Sequence, residues 1–170
     1  VVMMSSSQVG KTEVVLNVCG YHTHQDPAPL LVVQPNEKPM GHAFSKDRLA
    51  PMIRDSAVLR EAVSPAKSRD SGNTILHKTF AGGHITIVGA NAPAGLASRP
   101  IRTALFDEVD RYEHSAGTEG DPVSLGVRRT QTFWNRKIGL VSTPGIRGFS
   151  RIEEAFHEGD ERHFFVPCPE

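Results

Sequence analysis

Three groups of residues in this sequence have the types and spacing for chemistry on a phosphate: Ser5-Ser6-Ser7-Gln8-Val9-Gly10-Lys11-Thr12, Asp107-Glu108 and Ser142-Thr143-Pro144. Four apolar residues, Val1 to Met4, lead into the first group, and an apolar helical pattern (Val14, Val15, Leu16, Val18, Cys19) leads out of it. That is the strand, loop and helix order of a phosphate-binding P-loop, whose pattern is G-x-x-x-x-G-K-[ST]. In such a loop the backbone N–H groups, here those of Ser7, Gln8, Val9 and Gly10, turn inward around the phosphates. The helix start adds partial positive charge. Lys11 sets an ammonium on the β- and γ-phosphates, and the Thr12 hydroxyl faces Mg²⁺. Ser5 stands where the pattern has its first glycine, so the match is a variant one. Taken alone, the stretch also reads as an ordinary helix start capped by serines.

A P-loop needs an acidic partner, because phosphate-bound Mg²⁺ prefers carboxylates, hydroxyls and water. Asp107 follows the short apolar run Thr103-Ala104-Leu105-Phe106, the place of a Walker B aspartate, and Glu108 beside it is suited to polarise an attacking water. By themselves two adjacent acids at a strand end are also a plain solvated loop. Ser142 and Thr143 close a third apolar run, Lys137-Ile138-Gly139-Leu140-Val141. Hydroxyls there can sense a γ-phosphate or its lytic water, since ligands of open α/β sheets bind beyond the carboxyl ends of strands. The plain alternative is a turn made of favoured turn residues. Together the three strand ends predict hydrolysis of ATP or GTP.

The elements that must position these groups are short strands alternating with helices. The first helix is predicted over about Lys11 to Cys19, stopping near Gly20. His22 to Pro27 then reads as a polar loop. Its two histidines and aspartate lack the further ligands that a zinc site needs. Leu30 to Gln34 suits a buried parallel strand. Phe44 to Arg60 reads as helical with a kink or break at Pro51. Ser64 to Asn73 is loop-like, with Lys67 and Arg69 as solvated charges. Ile75 to Phe80 and His84 to Gly89 form a hairpin signal around Ala81-Gly82-Gly83. Asn91 to Pro100 reads as a loop, Ile152 to His157 as a helix and Phe164-Phe165-Val166 as a last strand. This alternation predicts an α/β fold with a mainly parallel sheet flanked by helices.

Composition narrows the possibilities further. At 170 residues the chain fits one domain, and such a chain buries roughly 70% of its unfolded surface. Nineteen basic residues balance nineteen acidic ones, so contact with nucleic acid needs a local patch rather than net charge. Two distant cysteines, Cys19 and Cys168, give no disulfide framework and fit a reducing cytosol. No apolar run approaches the ~18 residues of a membrane span, and Val1 to Met4 is too short for a signal peptide. Beginning inside a strand and stopping at Pro167-Cys168-Pro169-Glu170, the chain reads as an excerpt of something longer.

Six stretches come in the order seen in one family: Ser-Gln-Val-Gly-Lys-Thr-Glu (residues 7–13), Phe80-Ala81-Gly82-Gly83, Gly89-Ala90-Asn91-Ala92-Pro93, Asp107-Glu108-Val109-Asp110-Arg111, Gly120-Asp121-Pro122 and Ser142-Thr143-Pro144. In this the chain resembles the lambda-type phage terminase large subunit, and Val166-Pro167-Cys168-Pro169 looks like the start of that family's Cys-Pro-x-Cys segment. The resemblance implies that residues 1–170 are the ATPase motor domain, truncated at both ends, on a RecA-like P-loop fold without the family's nuclease domain. It implies ATP and Mg²⁺ as ligands. Ser7, Gln8, Val9, Gly10, Lys11 and Thr12 would bind nucleotide, Thr12 and Asp107 the metal, and Lys11 and Glu108 would act in catalysis. Ser142, Thr143 and Pro144 would couple hydrolysis to movement of DNA. The implied partners are double-stranded DNA, a terminase small subunit, the capsid portal and further copies in a ring, in the cytoplasm and with no membrane. The full-length protein would also be an endonuclease.

Many terminases carry a basic residue inside the P-loop, where Ser6 and Ser7 stand here. The adenine-holding region that precedes such loops is missing, and Glu170 ends the chain before a zinc site involving Cys168 can be judged. An arginine finger is expected, because one is worth roughly 10³–10⁵ in rate in related NTPases. Arg99 and Arg102, just before the Walker B strand, and Arg128 and Arg129 are the candidates. With Arg136 and Lys137 the same groups are also placed to meet DNA phosphates. Two other readings of the residues are a helicase-like translocase and a nucleotide-dependent DNA-binding module with little hydrolysis.

Overall fold

The structure is a computed structural model that describes residues 1–63, 72–165 and 167. Among these the chain forms six strands and a set of short helices. Strand β1 (Val2–Met4) runs into the serine-rich loop and α1 (Lys11–His24), followed by β2 (Pro29–Gln34). A helical stretch then passes through wide π-type turns at Phe44–Leu49 into α2 (Ala50–Asp55), with α3 (Ala57–Ala62) beyond. The hairpin β3 (His77–Phe80) and β4 (Gly83–Gly89) precedes α4 (Pro93–Ala97) and β5 (Thr103–Asp107). A 3₁₀ turn (Val109–Arg111), α5 (Pro122–Arg128), β6 (Lys137–Ser142) and α6 (Arg151–His157) complete the described chain.

The strands form one sheet in the order β1-β6-β5-β2-β4-β3, parallel except for β3, which pairs antiparallel with β4 at the edge. The α/β fold with a mainly parallel sheet is therefore as the sequence predicts. Side chains alternate between two cores, as the period of two in a strand demands. Leu30 and Val32 of β2 join Val15, Leu16 and Cys19 of α1 on one face. Leu31 and Val33 join Leu96, Phe106, Leu125 and Ile152 on the other. Helices thus cover both faces, which explains why the central strands are apolar runs rather than alternating ones. At α5 the approach is close enough to require glycine: a Cβ on Gly126 would lie 2.7 Å from Phe106 Cζ.

Several expectations need correction. Helix α1 does not stop at Gly20. It continues to His24 because Gly20 lies against Leu59 and Met52, and the next turn is held by Thr23 Oγ1 donating to the Cys19 carbonyl at 2.7 Å. His22-Thr23-His24 is accordingly helix rather than loop. Pro51 does not end the helical stretch: it falls in the first turn of α2, where the winding changes, and the π-wound turn ahead of it, where Ala50 N–H reaches back to the Ser45 carbonyl, accommodates the missing donor. The break comes at Ser56, whose backbone is extended. Asn91 to Pro100 contains α4, with Pro93 in its first turn. Phe164 and Phe165 are exposed and outside any strand, while Val166, Lys67, Arg69 and Cys168 lie outside the described residues.

Candidate active site

The strand order decides which side chains meet. Because β6 lies between β1 and β5, the end of β6 falls between the P-loop and the acidic pair. Met4 is in register with Ser142, and Asp107 with Val141. Ser5 N–H extends the ladder to the Ser142 carbonyl at 3.2 Å, and Glu108 N–H donates to the Val141 carbonyl at 2.7 Å. All three predicted strand ends therefore open at one edge of the sheet.

At that edge the Lys11 ammonium is buried, with 5% of the residue exposed. Its Nζ donates to the Ser6 carbonyl at 2.9 Å and to Thr143 Oγ1 at 2.8 Å, and it lies 3.8 Å from Glu108 Oε1. The loop reaches this form through left-handed backbones at Gln8 (φ 60°) and Gly10 (φ 86°), which lets α1 begin with Lys11 turned inward. Ser5 has no positive φ, so nothing in the backbone demands the glycine of the usual pattern there. Its hydroxyl is buried and has no protein partner.

Asp107 is 3% exposed. Its Oδ2 accepts from Gln34 Nε2 at 3.0 Å, while Oδ1 is buried with no protein partner. Burial is the main cause that raises its carboxyl above the ordinary range, with the neighbouring Glu108 adding to it. The Gln34 hydrogen bond and the Lys11 charge pull the other way. An orphaned, buried carboxylate oxygen beside a lysine is costly unless something positive completes it. A hard divalent cation fits a donor of that kind, and Thr12, the other residue expected to meet it, stands in the first turn of α1.

Glu108 adopts φ 57° and ψ 50°, a left-handed conformation that costs a non-glycine residue roughly 1–2 kcal/mol. Its N–H bond to Val141 and the fully buried Val109 hold it there. This conformation sets the carboxylate between Lys11 and Arg111, the latter 3.7 Å from Oε2. Such strain collects where a chain must present a group for function.

The arginine candidates go elsewhere. Arg102 N–H bonds the Pro29 carbonyl, Lys137 N–H bonds the Arg102 carbonyl, and Ile101 N–H bonds the Arg129 carbonyl. These contacts are at the amino ends of β2, β5 and β6, a strand length (about 17 Å for five residues) from Asp107. Arg102 is already engaged there: its Nη2 donates to the Asp26 carbonyl (2.8 Å), lies 2.5 Å from Asp26 Oδ2 and meets buried His22 Nδ1 at 3.1 Å. Arg99, Arg128 and Arg129 share one shallow hollow at the same end. Within a single chain the four cannot reach a phosphate held by Lys11. His22 and Asp26, two of the three residues that invited a metal reading, spend their groups on Arg102. No group of three or more metal-ligating side chains of the His, Cys, Asp or Glu type occurs among the described residues.

Two residues escaped the sequence reading. Gln34, the only polar residue of β2, sits at its carboxyl end and carried the same signal as Asp107 and Ser142: a polar side chain closing an apolar strand. Tyr112 is buried under the site with its hydroxyl donating to the Val33 carbonyl at 2.8 Å; burial raises its phenol well above the usual range. No local signal marked it.

The chain is also similar to known proteins in sequence and in fold. The chain aligns over 98% of its length with the terminase large subunits of Enterobacteria phage P21 (29% identity) and Escherichia phage lambda (30% identity). It spans about a quarter (26%) of the length of each. The fold resembles the crystal structure of the HK97 bacteriophage large terminase, with a TM-score of 0.71 over 92% of this chain and 31% of that one at 12% identity. It also resembles the large terminase ATPase domain of Thermus phage P74-26, with a TM-score of 0.54 over 87% of this chain and 61% of that one at 14% identity. The family model for the phage terminase large subunit gpA, ATPase domain, matches residues 1–170, and the chain belongs to that family.

Proposed function

We propose that this domain hydrolyses ATP and that the energy drives double-stranded DNA into a phage capsid. The observation that carries the reading is the meeting of Lys11, Glu108 and Thr143 within 3.8 Å of one ammonium, beside the unpartnered oxygen of Asp107. Backbone N–H groups of Ser7 to Gly10 cradle the phosphates, and Lys11 exchanges its present acceptors for β- and γ-phosphate oxygens. Thr12 and Asp107 would hold Mg²⁺, which would supply neutralising charge to the phosphates. Glu108, freed from Lys11 by the arriving phosphate, orients and polarises the attacking water. Thr143, with Ser142 and Pro144 around it, loses its lysine donor when phosphate binds, so this turn registers whether a γ-phosphate is present.

Arg102 is committed to Asp26, which leaves Arg99, Arg128 and Arg129 for a neighbouring subunit's phosphate in a ring, or for DNA together with Arg136 and Lys137. As partners we propose a terminase small subunit and a capsid portal, in a cytoplasmic setting, a reading that membership of the family supports. No described helix is long and apolar enough to cross a membrane. The test is phosphate release from ATP by the intact protein in the presence of DNA. Glu108→Gln should retain nucleotide binding while turnover falls roughly 10²–10⁴-fold; unchanged turnover would refute the assignment of Glu108.

A further inference from the structure

Asp110 is the one acid of the Asp107-Glu108-Val109-Asp110 run to which the mechanism gives no task. Its hydrogen bonds tie three elements together. The Oδ2 oxygen accepts the Gly145 N–H at 2.7 Å, and Oδ1 accepts the Ile152 N–H at 2.9 Å, in the first turn of α6. Its own N–H meets Ser142 Oγ at 3.3 Å, and that hydroxyl donates to the Thr143 carbonyl at 3.0 Å. One carboxylate thus spans the acidic loop, the Ser142-Thr143-Pro144-Gly145 turn and α6.

The packing around it is tight on one side and open on the other. A Cβ on Gly145 would come within 3.2 Å of Asp110 Oδ2, and Ile152 is fully buried in the second core. Between Gly145 and α6, by contrast, Ile146 and Phe149 are 76% and 87% exposed. Three further ties keep α6 attached to its surroundings: Gly148 N–H to Glu153 Oε2 at 2.8 Å, Arg151 Nη1 to Asp121 Oδ1 at 2.7 Å, and Arg151 Nη2 to the Glu113 carbonyl at 2.8 Å.

From this we infer that Asp110 is a positioning residue that transmits the phosphate state of the Lys11–Thr143 contact to α6 and its exposed loop. The inference rests on the proposed nucleotide site and adds the path by which that site is read. When Lys11 leaves Thr143 for phosphate, the turn that carries Thr143 shifts. Gly145 and Ile152 hang on the same carboxylate, so α6 shifts with it. Charge-assisted hydrogen bonds are stronger and shorter than neutral ones, which suits a rigid link. Without the carboxylate the turn and α6 respond separately.

The test is amide hydrogen exchange on the intact protein with Mg²⁺, without nucleotide and with a non-hydrolysable ATP analogue. In the wild type, exchange at residues 142–146 and 151–157 should differ between the two states. The expected change at α6 is roughly tenfold, the scale of one charge-assisted hydrogen bond in a local opening. In Asp110→Ala the P-loop residues 5–12 should stay nucleotide-protected while α6 exchanges alike in both states. A purely structural role would instead speed exchange at α6 in both states and preserve the nucleotide difference, which overturns the inference. So does a wild-type α6 that is indifferent to the nucleotide. Asp110→Asn, which keeps one acceptor oxygen, guards against misfolding of the alanine variant and should retain part of the response. Loss of protection at residues 5–12 in the wild type would count against the nucleotide site itself, a separate and recognisable outcome.

Discussion

Two aspartates, Asp26 and Asp107, lie near opposite ends of the parallel strands. Each is beside a cation, and their carboxyl groups shift in opposite directions. Asp26 is open to solvent; the hydrogen bond from Arg102 is the main cause that lowers it. Asp107 is buried, so desolvation outweighs both Gln34 and Lys11 and raises it. Around Asp26 the charges answer one another: Arg102 serves Asp26 and His22, and His22 Nε2 has Thr103 Oγ1 at 3.4 Å. Around Asp107 they do not, for its Oδ1 and the nearby Ser5 hydroxyl are buried without protein partners. Similar residue types make a closed structural joint around Asp26 and an unfinished site around Asp107. The difference lies in burial and in the atoms left over, rather than in the charges.

The contrast is broken most forcefully at Lys11. Lys11→Ala should lower ATP turnover by roughly 10²–10³-fold, as loss of a group facing transition-state charge does, with little change in melting temperature. Arg102→Ala should do the reverse. It removes the largely buried guanidinium that donates to the Asp26 carbonyl, so urea unfolding should show a loss of about 1–2 kcal/mol, while turnover per folded molecule stays within about twofold of wild type. An Arg102→Ala protein that is fully stable but inactive would erase the distinction between the two ends.

A smaller effect sharpens the comparison through pH. Because the Asp107 carboxyl is raised in the folded state, the folded protein holds a proton there that the unfolded chain has already lost. Its contribution to stability therefore falls as pH rises from the ordinary carboxylate range through the raised value. Asp107→Asn should remove that dependence and leave the nucleotide-free protein at least as stable above that range, by about 1 kcal/mol, while abolishing metal-dependent nucleotide binding. Asp26 has the opposite sign: its contribution is present above the ordinary value and is lost as pH falls through the lowered one. Thermal melts of the two Asp→Asn variants across the acid range check both signs.

Much of the site could be read from the chain because parallel strands write it in one grammar, an apolar run closed by a polar group. Asp107 and Ser142-Thr143 stand out in this way, Lys11 stands out by the loop pattern around it, and Gln34 obeys the strand-end rule. The hairpin was legible from Ala81-Gly82-Gly83. Helix limits were less so, because tertiary contacts set them: Gly20 continues α1 where it packs on α3, and Ser56 rather than Pro51 breaks the next helix. Asp110 had no visible role, since its partners Gly145 and Ile152 come 35 and 42 residues later. Within one chain the arginine candidates lie at the far end of the strands from the acidic pair. Arg99 and Arg102 precede β5 while Asp107 ends it, so the strand itself separates them.

The central claim is that Lys11 and Asp107 act on one bound triphosphate and its metal. Calorimetric titration of a non-hydrolysable ATP analogue with Mg²⁺ into the wild type, Lys11→Ala, Asp107→Asn and the double variant tests it directly. Convergence on one ligand predicts that the two losses overlap, with a coupling energy of about 1 kcal/mol or more. Losses that add to within about 0.5 kcal/mol would mean two independent sites and would contradict the account.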